Sequence, residues 1–509
     1  MRNINLSNKI TICCAIFLWT VGAHASTLPP DPDNAALLYY QAFLLRPEPD
    51  PAAKHLVYNI RQEDILKALC GGEIEGYANL EERIRELEEK LQDPNLIREM
   101  ERKQKERLWH RGGEILTSQM IQDDHEVNQY FLEKDLYEEL RERQEHMGGT
   151  DPNEKIREYL RSCSEAIKVA ESASHLSKCD WGIQYSKGLG FQSPQLVEIR
   201  PLTGILCADA LRLAADGNCR AAFERCLMIR RFAHHIGDGT YVPHCVSRAV
   251  DSQALNCIKL LLGYMKPDAD TLTWLENRLG VEKGSSASPG RVLKMDFEIT
   301  LQTLRNNASV LDRCREAMRI KDHMKALAKK QLEQDRGDDE HTAKVQDITD
   351  EQLLALASKP YANFLDSALR VIDSEISYEK KRSEIQRLTE ALEKEFGHEP
   401  ATLMRLLAYP EKLLTLSIVM ACAEQVLRFY DLEIRHTANF NALMAAIDVY
   451  LVVAKTGQLP EKLPDGLPKD PYSDRDFDYE ITDEGFALPC QGKFFHKHWK
   501  PLMEFKVKR

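Results

Sequence analysis

Apolar residues recur at steps of three and four along most of the chain. This spacing places them on one face of an α-helix and leaves the opposite face polar. The sequence therefore predicts a mostly α fold, arranged as an irregular helical bundle or solenoid. Two clear stripes are Leu80, Ile84, Leu87 and Leu91 in a charged segment and, further along, Cys219, Ala222, Cys226, Ile229, Ala233 and Ile236.

A pair of helices is predicted in the middle of the chain. Residues 201–215 and 219–236 have helical spacing, and Asp216-Gly217-Asn218 separates them. Glycine adopts the left-handed conformation that ends many helices, so this tripeptide predicts a tight turn. A single long helix is predicted over about 291–334, and Thr349 with Gln352 forms a capping-box pattern at the start of the next one.

The pattern changes near the C-terminus. Phe477, Tyr479 and Ile481 alternate with acidic residues, which is the period of two expected of a β-strand. A polar turn over residues 482–485 precedes the apolar residues 486–488. The sequence therefore predicts a small C-terminal β-hairpin on an otherwise helical protein.

The N-terminal residues have the features of a secretory signal peptide. Arg2 and Lys9 are followed by an apolar run over residues 10–22, and Ala23-His24-Ala25 has the small-x-small pattern of a cleavage site. A retained membrane anchor is the alternative. No later segment is expected to span a membrane, so the prediction is a periplasmic or secreted protein without a membrane span after cleavage. A net charge of −12 argues against a nucleic-acid partner.

The cysteines raise the question of disulfides. Of thirteen, Cys13 and Cys14 lie in the signal segment, which leaves an odd number, eleven, in the mature chain. Cys207 and Cys226 are equally far from the turn at residues 216–217, so an antiparallel hairpin places them at the same height. The hypothesis is that they touch and form a disulfide; two packed thiols are the alternative.

The densest set of potential metal ligands is His234, His235, Asp238 and His244. His234 and Asp238 are four residues apart, which would place both on one helical face. Histidines near a helix C-terminus are also favoured by the helix dipole alone, and this explanation stays open. No phosphate-binding glycine loop, nucleophile elbow or His-Glu-x-x-His motif is present in the sequence.

Residues 210–227 resemble one tetratricopeptide unit, through the turn at Gly217 and the alanines at close-contact positions such as Ala210 and Ala222. The resemblance covers one hairpin, and no clean 34-residue recurrence accompanies it. It implies an α-solenoid element of the kind that binds peptides or proteins on a concave face.

The C-terminal segment resembles the C-terminal half of type II secretion major pseudopilins. The matching features are a helix over 443–450, a Gly-x-x-Pro turn at Gly457, a Leu-Pro-x-Asp-Pro loop at 467–471 and the strand pattern over 479–488. The chain lacks the polymerising helix of that family. Because pseudopilins often hold calcium in this loop, the resemblance implies calcium ligands among Asp470, Asp474 and Asp476. No other cofactor is expected.

As a whole, the chain resembles large exported helical proteins of planctomycete-like bacteria. The shared segments are an Asn-Ala-Ala-Leu-Leu-Tyr start at Asn34, a Cys-Asp-Trp-Gly segment at Cys179 and the C-terminal ending. This resemblance implies export but no activity.

These patterns predict six segments in chain order. They are a signal peptide (1–25), N-terminal helices (26–77), a charged helical hairpin or coiled-coil arm (78–149), a tetratricopeptide-like core (150–282), a long-helix region (283–456) with a linker at 335–347, and the pseudopilin-like ending (457–509).

Three functions fit the sequence. The favoured hypothesis is an exported helical scaffold that binds another protein or a surface polymer. The first alternative is a hydrolase or metal-dependent enzyme whose site is assembled from distant residues. The second is an extracytoplasmic component of a secretion or pilus-like system. The sequence carries no indication of an oligomeric state.

Overall fold

The computed structural model describes residues 33–72, 74, 80–109, 130, 133–134, 137–138, 141, 151–190, 193–237, 239–266, 268–282, 288–316, 318–319, 349–396, 410–491 and 502–507. The mostly α fold is confirmed. The helices are α1 (Ala35–Leu45), α2 (Pro51–Tyr58), α3 (Gln62–Leu69), α4 (Leu80–Leu91), α5 (Pro94–Trp109), α6 (Pro152–Ser162), α7 (Ser164–Ser174), a 3-10 helix (Tyr185–Gly190), α8 (Gln195–Ala215), α9 (Cys219–Ile236), α10 (Tyr241–Met265), α11 (Ala269–Glu282), α12 (Pro289–Arg305), α13 (Asp350–Ile372), α14 (Tyr378–Phe396) and α15 (Pro410–Thr456).

Short polar residues begin several of these helices. The Asp50 carboxylate accepts a hydrogen bond from the Ala53 amide at 2.9 Å, and Ser288 caps α12 in the same way through the Arg291 amide. Thr349 and Gln352 form the predicted capping box at the start of α13. These bonds satisfy amide groups that have no partner inside the helix.

The turn between α8 and α9 is where the sequence placed it. Gly217 has a φ of 79°, and the Asn218 amide donates to the Leu213 carbonyl at 2.9 Å. Helix α9 has the predicted bounds, whereas α8 begins earlier than predicted, at Gln195, and continues through Pro201. Pro201 is the seventh residue of α8, so it lies inside the helix and removes the hydrogen bond that an amide there would donate to the Val197 carbonyl.

The prediction of one long helix over 291–334 is wrong in its described part. Helix α12 ends at Arg305, where the Asn306 amide closes the last turn on the Gln302 carbonyl at 2.9 Å. A separate helical stretch follows over 308–316. Two consecutive asparagines favour such a break, because their side chains compete for backbone hydrogen bonds. The predicted linker at 335–347 lies outside the described residues.

The C-terminal β-structure has three strands rather than the predicted two. Strands β1 (Glu480–Thr482) and β2 (Gly485–Pro489) form the expected hairpin, and β3 (Leu502–Lys506) pairs with β2 to complete an antiparallel sheet in the order β1-β2-β3. Ile481 lies opposite Phe486, which in turn lies opposite Phe505. The period of two is clearest over residues 477–481, and β3 was missed because its five residues lack comparable alternation.

The described residues divide into two compact units. Residues up to Tyr40, those within 171–199 and those from Leu227 onward form the first unit; residues within 41–170 and 200–226 form the second. The six predicted segments remain a prediction about sequence organisation.

The first unit is built around α15. This helix contacts α10, α11, α12, α13 and α14 as well as β3. Its buried side chains include Ile418, Val426 and Phe429, which share a core with residues of α12, α13 and α14 such as Phe297 and Tyr361. Burial of this apolar surface supplies most of the stabilisation that the unit gains on folding.

The second unit has its own core. Helices α2 and α3 both contact α6, and the hydroxyls of Tyr58 and Tyr159 are 2.7 Å apart. Gly204 lies against the Tyr58 ring, where a β-carbon would be 2.7 Å from the nearest ring atom. Of the predicted charged arm, α4 and α5 are described and contact each other.

One part of α15, residues Gln425–Thr456, is long and apolar enough to cross a membrane by length and composition. The expectation that no segment after the signal would meet this criterion is therefore wrong. In the structure, 56% of the apolar window is buried inside the protein, as in the core helix of a folded domain.

Candidate functional site

Three helices bring together seven ionisable side chains of the first unit, here called the charged cluster. Helix α10 contributes residues spaced by four and three, which places them on one helical face. Helices α9 and α15 each contribute two residues at the same kind of spacing. The members are Arg230 and His234 on α9, His244, Arg248 and Asp251 on α10, and Glu433 and His436 on α15.

One half of the charged cluster is centred on Glu433. Its Oε1 accepts hydrogen bonds from His244 Nε2 at 2.7 Å and from Arg248 Nε at 2.6 Å, and its Oε2 accepts from Arg248 Nη2 at 2.6 Å. Burial alone would raise the pKa of Glu433, but these bonds outweigh it and lower the pKa to about 2. Glu433 therefore stays ionised at any pH at which the protein would function.

The other half is centred on Asp251, which is fully buried. Its Oδ1 accepts from Arg230 Nε at 2.7 Å, and its Oδ2 accepts from His436 Nε2 at 2.6 Å. Burial opposes ionisation here too, yet Arg230 and His436 together hold the pKa of Asp251 far below its usual range. The Arg230 guanidinium also lies 4.9 Å from the centre of the Phe440 ring.

The two carboxylates and two guanidiniums balance each other's charge when the imidazoles are neutral. Each carboxylate oxygen accepts at least one hydrogen bond from a cluster member. Breaking a buried pair leaves an uncompensated charge, which costs far more than an exposed pair contributes. The arrangement is therefore suited to fixing α9, α10 and α15 against one another.

The histidines of the charged cluster differ in environment. His244 stacks on Phe429 with ring centres 4.7 Å apart, and its buried Nδ1 has no hydrogen-bond partner among the described residues. Burial, with added repulsion from nearby arginines, lowers the pKa of His234 to about 4, although Asp251 acts in the opposite direction. His234 is therefore neutral at pH 7.

The structure separates the three histidines that the sequence singled out as potential metal ligands. His235 lies outside the charged cluster: its Nδ1 is 3.0 Å from the Tyr39 hydroxyl, and its carbonyl accepts from Trp181 Nε1 at 2.8 Å. His234 is near Asp251, whereas His244 is bonded to Glu433. Asp238 lies outside the described residues. Among the residues described, no three His, Cys, Asp or Glu side chains form a group that could hold a metal ion.

In the predicted calcium loop, the buried carboxylate of Asp470 accepts hydrogen bonds from other groups of the protein. Asp470 Oδ1 accepts from the Tyr472 amide at 3.0 Å, and its Oδ2 accepts from Ser473 Oγ at 2.7 Å and from the Gln491 amide at 2.8 Å. A carboxylate held by three donors ties the loop to Gln491, two residues beyond the end of β2. Asp474, at a φ of 59°, and Asp476 are exposed. Calcium binding by these three residues stays a prediction.

Cys207 and Cys226 are both buried, and in the structure both carry free thiols, as do the other nine cysteines of the described residues. The disulfide hypothesis stays a prediction. Counting reactive thiols on denatured, unreduced protein tests it, and finding both residues alkylated would reject the bridge.

Sequence reasoning identified His234 and His244 but missed Glu433, which bonds His244, and His436, which bonds Asp251. Glu433 and His436 lie within the long apolar stretch of α15. Glu433 is 189 residues from His244 in the chain, and His436 is 185 residues from Asp251. One signal was present: His244, Arg248 and Asp251 place charge on a single face of an otherwise apolar helix. Such a face needs partners of opposite charge when it is buried.

Similarity to known proteins does not assign the chain to a family. No protein-family model, curated protein or solved structure matches the chain.

Proposed function

We propose that the protein is an exported helical scaffold that binds another protein or a surface polymer outside the cytoplasm. The observation that carries this proposal is the closed set of ion pairs in the charged cluster. The residues most suited to acid–base chemistry, Glu433 and Asp251, have their oxygens occupied by arginine and histidine donors. They act on the arrangement of three helices rather than on a substrate.

Export is supported by the basic start, apolar run and small-x-small pattern of the first 25 residues. Cell fractionation followed by N-terminal sequencing tests this part. The expected mature protein begins at Ser26 and lies outside the cytoplasm. An intact leader on a cytosolic protein would contradict export.

Partner binding is tested by photo-crosslinking in the native cell. Leu44 in the second unit and Val281 in the first are 87% and 81% exposed, and an apolar side chain left in water gains most from being covered. We expect a crosslinker at one of these positions to give a discrete adduct in the extracytoplasmic fraction. A crosslinker at exposed Lys462 is the control. Absence of an adduct from both apolar positions, or the same adducts from the control, would contradict the proposal.

A second function, a hydrolase or metal-dependent enzyme, is favoured by one observation. Glu433 holds Nε2 of His244 while Nδ1 has no hydrogen bond among the described residues. A carboxylate on one imidazole nitrogen is the arrangement that orients histidine bases and metal ligands. Metal analysis of the purified protein tests it. Stoichiometric zinc that is lost in His244→Gln would replace the scaffold proposal.

A role in a secretion or pilus-like system is the third proposal. It is supported by the order of long helix, proline-containing loop and antiparallel sheet at the C-terminus, the order that suggested the pseudopilin resemblance. Co-purification with secretion-system components from the native envelope tests it.

A further inference from the structure

Strand β1 forms one edge of the C-terminal sheet. It pairs with β2 on one side, and no residue that the structure describes pairs with its other side. All three of its residues are exposed, and the apolar side chain of Ile481 is among them. An edge strand presents unpaired amides and carbonyls, which form a template for a further strand.

The register determines which backbone groups of this strand face outward. Thr482 lies opposite Gly485 across a two-residue turn. The Asp478 amide donates to the Pro489 carbonyl at 3.2 Å, so the pairing with β2 extends back to residue 478. Residues of an antiparallel strand bond alternately to one side and the other. The backbone groups of Asp478, Glu480 and Thr482 therefore face β2, and those of the two residues between them face away from the sheet.

The two faces of the strand differ in chemistry. Successive side chains point to opposite faces, so Tyr479 and Ile481 share one face and Asp478 and Glu480 share the other. The first face continues into Phe477, which is buried, whereas both acidic residues are exposed. A strand that pairs with β1 therefore meets an apolar face on one side and an acidic face on the other.

Most of the negative charge at this edge is uncommitted. Residues 474–484 include six acidic side chains and one basic side chain, Arg475. Two of the acids are engaged within the protein, Asp478 by Gln491 and Glu484 by Lys506. Four form no ion pair with any described residue: Asp474, Asp476, Glu480 and Asp483. These charges disfavour pairing of β1 with the β1 of a second copy, and they favour a basic strand.

We propose that β1 binds a partner protein by adding an extended segment of that partner to the sheet as a fourth strand. The segment alternates basic and apolar residues. Its basic side chains lie beside Asp478 and Glu480, its apolar side chains lie beside Tyr479 and Ile481, and its backbone pairs with the outward amides and carbonyls. The inference deepens the proposed scaffold function and rests on it only for the existence of a protein partner.

Fluorescence anisotropy of labelled peptides with the purified full-length mature protein tests the proposal. The probe is Lys-Val-Lys-Val-Lys, blocked at both ends. We expect it to bind at one site per chain, at least about 10-fold more tightly than Glu-Val-Glu-Val-Glu. Lys-Lys-Lys-Val-Val has the same composition without the alternation and should bind at least about 10-fold more weakly too. N-methylation of the probe's backbone amides removes its donors and should abolish binding.

Two variants locate the site. Ile481→Pro removes an outward amide, and proline is tolerated on an edge strand where the amide does not serve the ladder. This change should weaken binding of the probe at least about 10-fold. The double variant Asp478→Asn with Glu480→Gln removes two charges, keeps an acceptor for Gln491 and should weaken binding about fivefold.

The matched control is the double variant Asp366→Asn with Glu375→Gln. It removes two exposed charges outside the sheet and should leave the affinity for the probe unchanged. Circular dichroism and thermal unfolding check that each variant is folded.

The proposal is overturned if the probe does not bind, or if the reordered or N-methylated peptide binds equally well, because general attraction between a basic peptide and an acidic protein would then account for binding. Unchanged affinity in folded Ile481→Pro would also exclude this edge. The peptide assay needs no native partner, so missing crosslinks at Leu44 and Val281 would leave this proposal standing. Failure of the peptide would in turn leave the crosslinking test of the scaffold function unaffected.

Discussion

Arg230 on α9 donates a hydrogen bond to Asp251 on α10 across 2.7 Å, and neither side chain is more than 2% exposed. His436 on α15 bonds the second oxygen of the same carboxylate. Charges so deeply buried persist only because each compensates the other, since the loss of hydration costs several kcal/mol for each ion. One carboxylate therefore joins two consecutive helices, α9 and α10, to α15, whose His436 is 185 residues away from Asp251 in the chain.

Replacing Asp251 by alanine should destabilise the protein strongly. The change leaves Arg230 buried without its carboxylate and removes the partner of His436, so we expect a loss of about 3–5 kcal/mol in the free energy of unfolding. Urea unfolding measures it. The control is Glu316→Ala, which removes an exposed ion pair with Arg319 and should cost less than about 1 kcal/mol. Similar losses for the two variants would contradict the structural role of Asp251.

His234 should make the protein less stable in mild acid. Its pKa is about 4 in the folded state and near 6.5 when unfolded, so between these values the unfolded chain binds the additional proton. Stability contributed by neutral His234 is present above pH 6.5 and lost as the pH falls to about 4. The loss is on the order of 3 kcal/mol, and His234→Gln should remove it. An unchanged slope of stability against pH in this variant would contradict the assignment.

Asp448 should have the opposite effect on stability, making the protein less stable as the pH rises. Burial and the like charge of Glu276 raise its pKa to about 6, while Lys455 partly offsets them. The folded state therefore holds the proton more tightly, and stability falls as the pH rises from about 4 to 6. Asp448→Asn should add about 1 kcal/mol at pH 7, after allowance for solvent screening, and nothing below pH 4. Destabilisation at pH 7 would show that the carboxylate has a favourable partner.

Two glycines inside helices provide a matched pair. A β-carbon at Gly263 in α10 would lie 2.8 Å from the Lys506 carbonyl oxygen in β3, whereas one at Gly280 in α11 would have no heavy atom within 4 Å. Gly280→Ala should stabilise the protein by about 0.5–1 kcal/mol through helix propensity. Gly263→Ala should destabilise it by about 1–3 kcal/mol, because strand β3 must move. Thermal unfolding compares them, and stabilisation by both would place β3 further from α10.

The helices were predictable because their signals are local. Gly217 ends α8 and the apolar stripe of α9 continues to Ile236, so the turn and the bounds of α9 followed from neighbouring residues. The break after Arg305 was missed because the surrounding residues keep helical spacing, so the asparagines at 306 and 307 are a weak local signal against a continuous pattern. Strand β3 depends on its pairing with β2, which is a tertiary contact.

The site was predictable only in part. The sequence singled out His234 and His244 because potential ligands are dense there, but the bonds from His244 to Glu433 and from His436 to Asp251 depend on how α15 packs, which no local pattern encodes. The grouping of His235 with His234 and His244 as potential metal ligands did not allow for the direction of its side chain. One position along a helix turns a side chain by about 100°, and His235 meets Tyr39 instead.

The most direct test of the clamping role of the charged cluster is a double-mutant cycle on Arg248 and Glu433, which are joined by two hydrogen bonds of 2.6 Å. The free energy of unfolding is measured for Arg248→Met, Glu433→Gln, the double variant and the unaltered protein. We expect a coupling energy above about 1.5 kcal/mol, because either single change leaves a buried charge without its partner. Single changes that add to within about 0.5 kcal/mol would show that the pair does not hold α10 and α15 together.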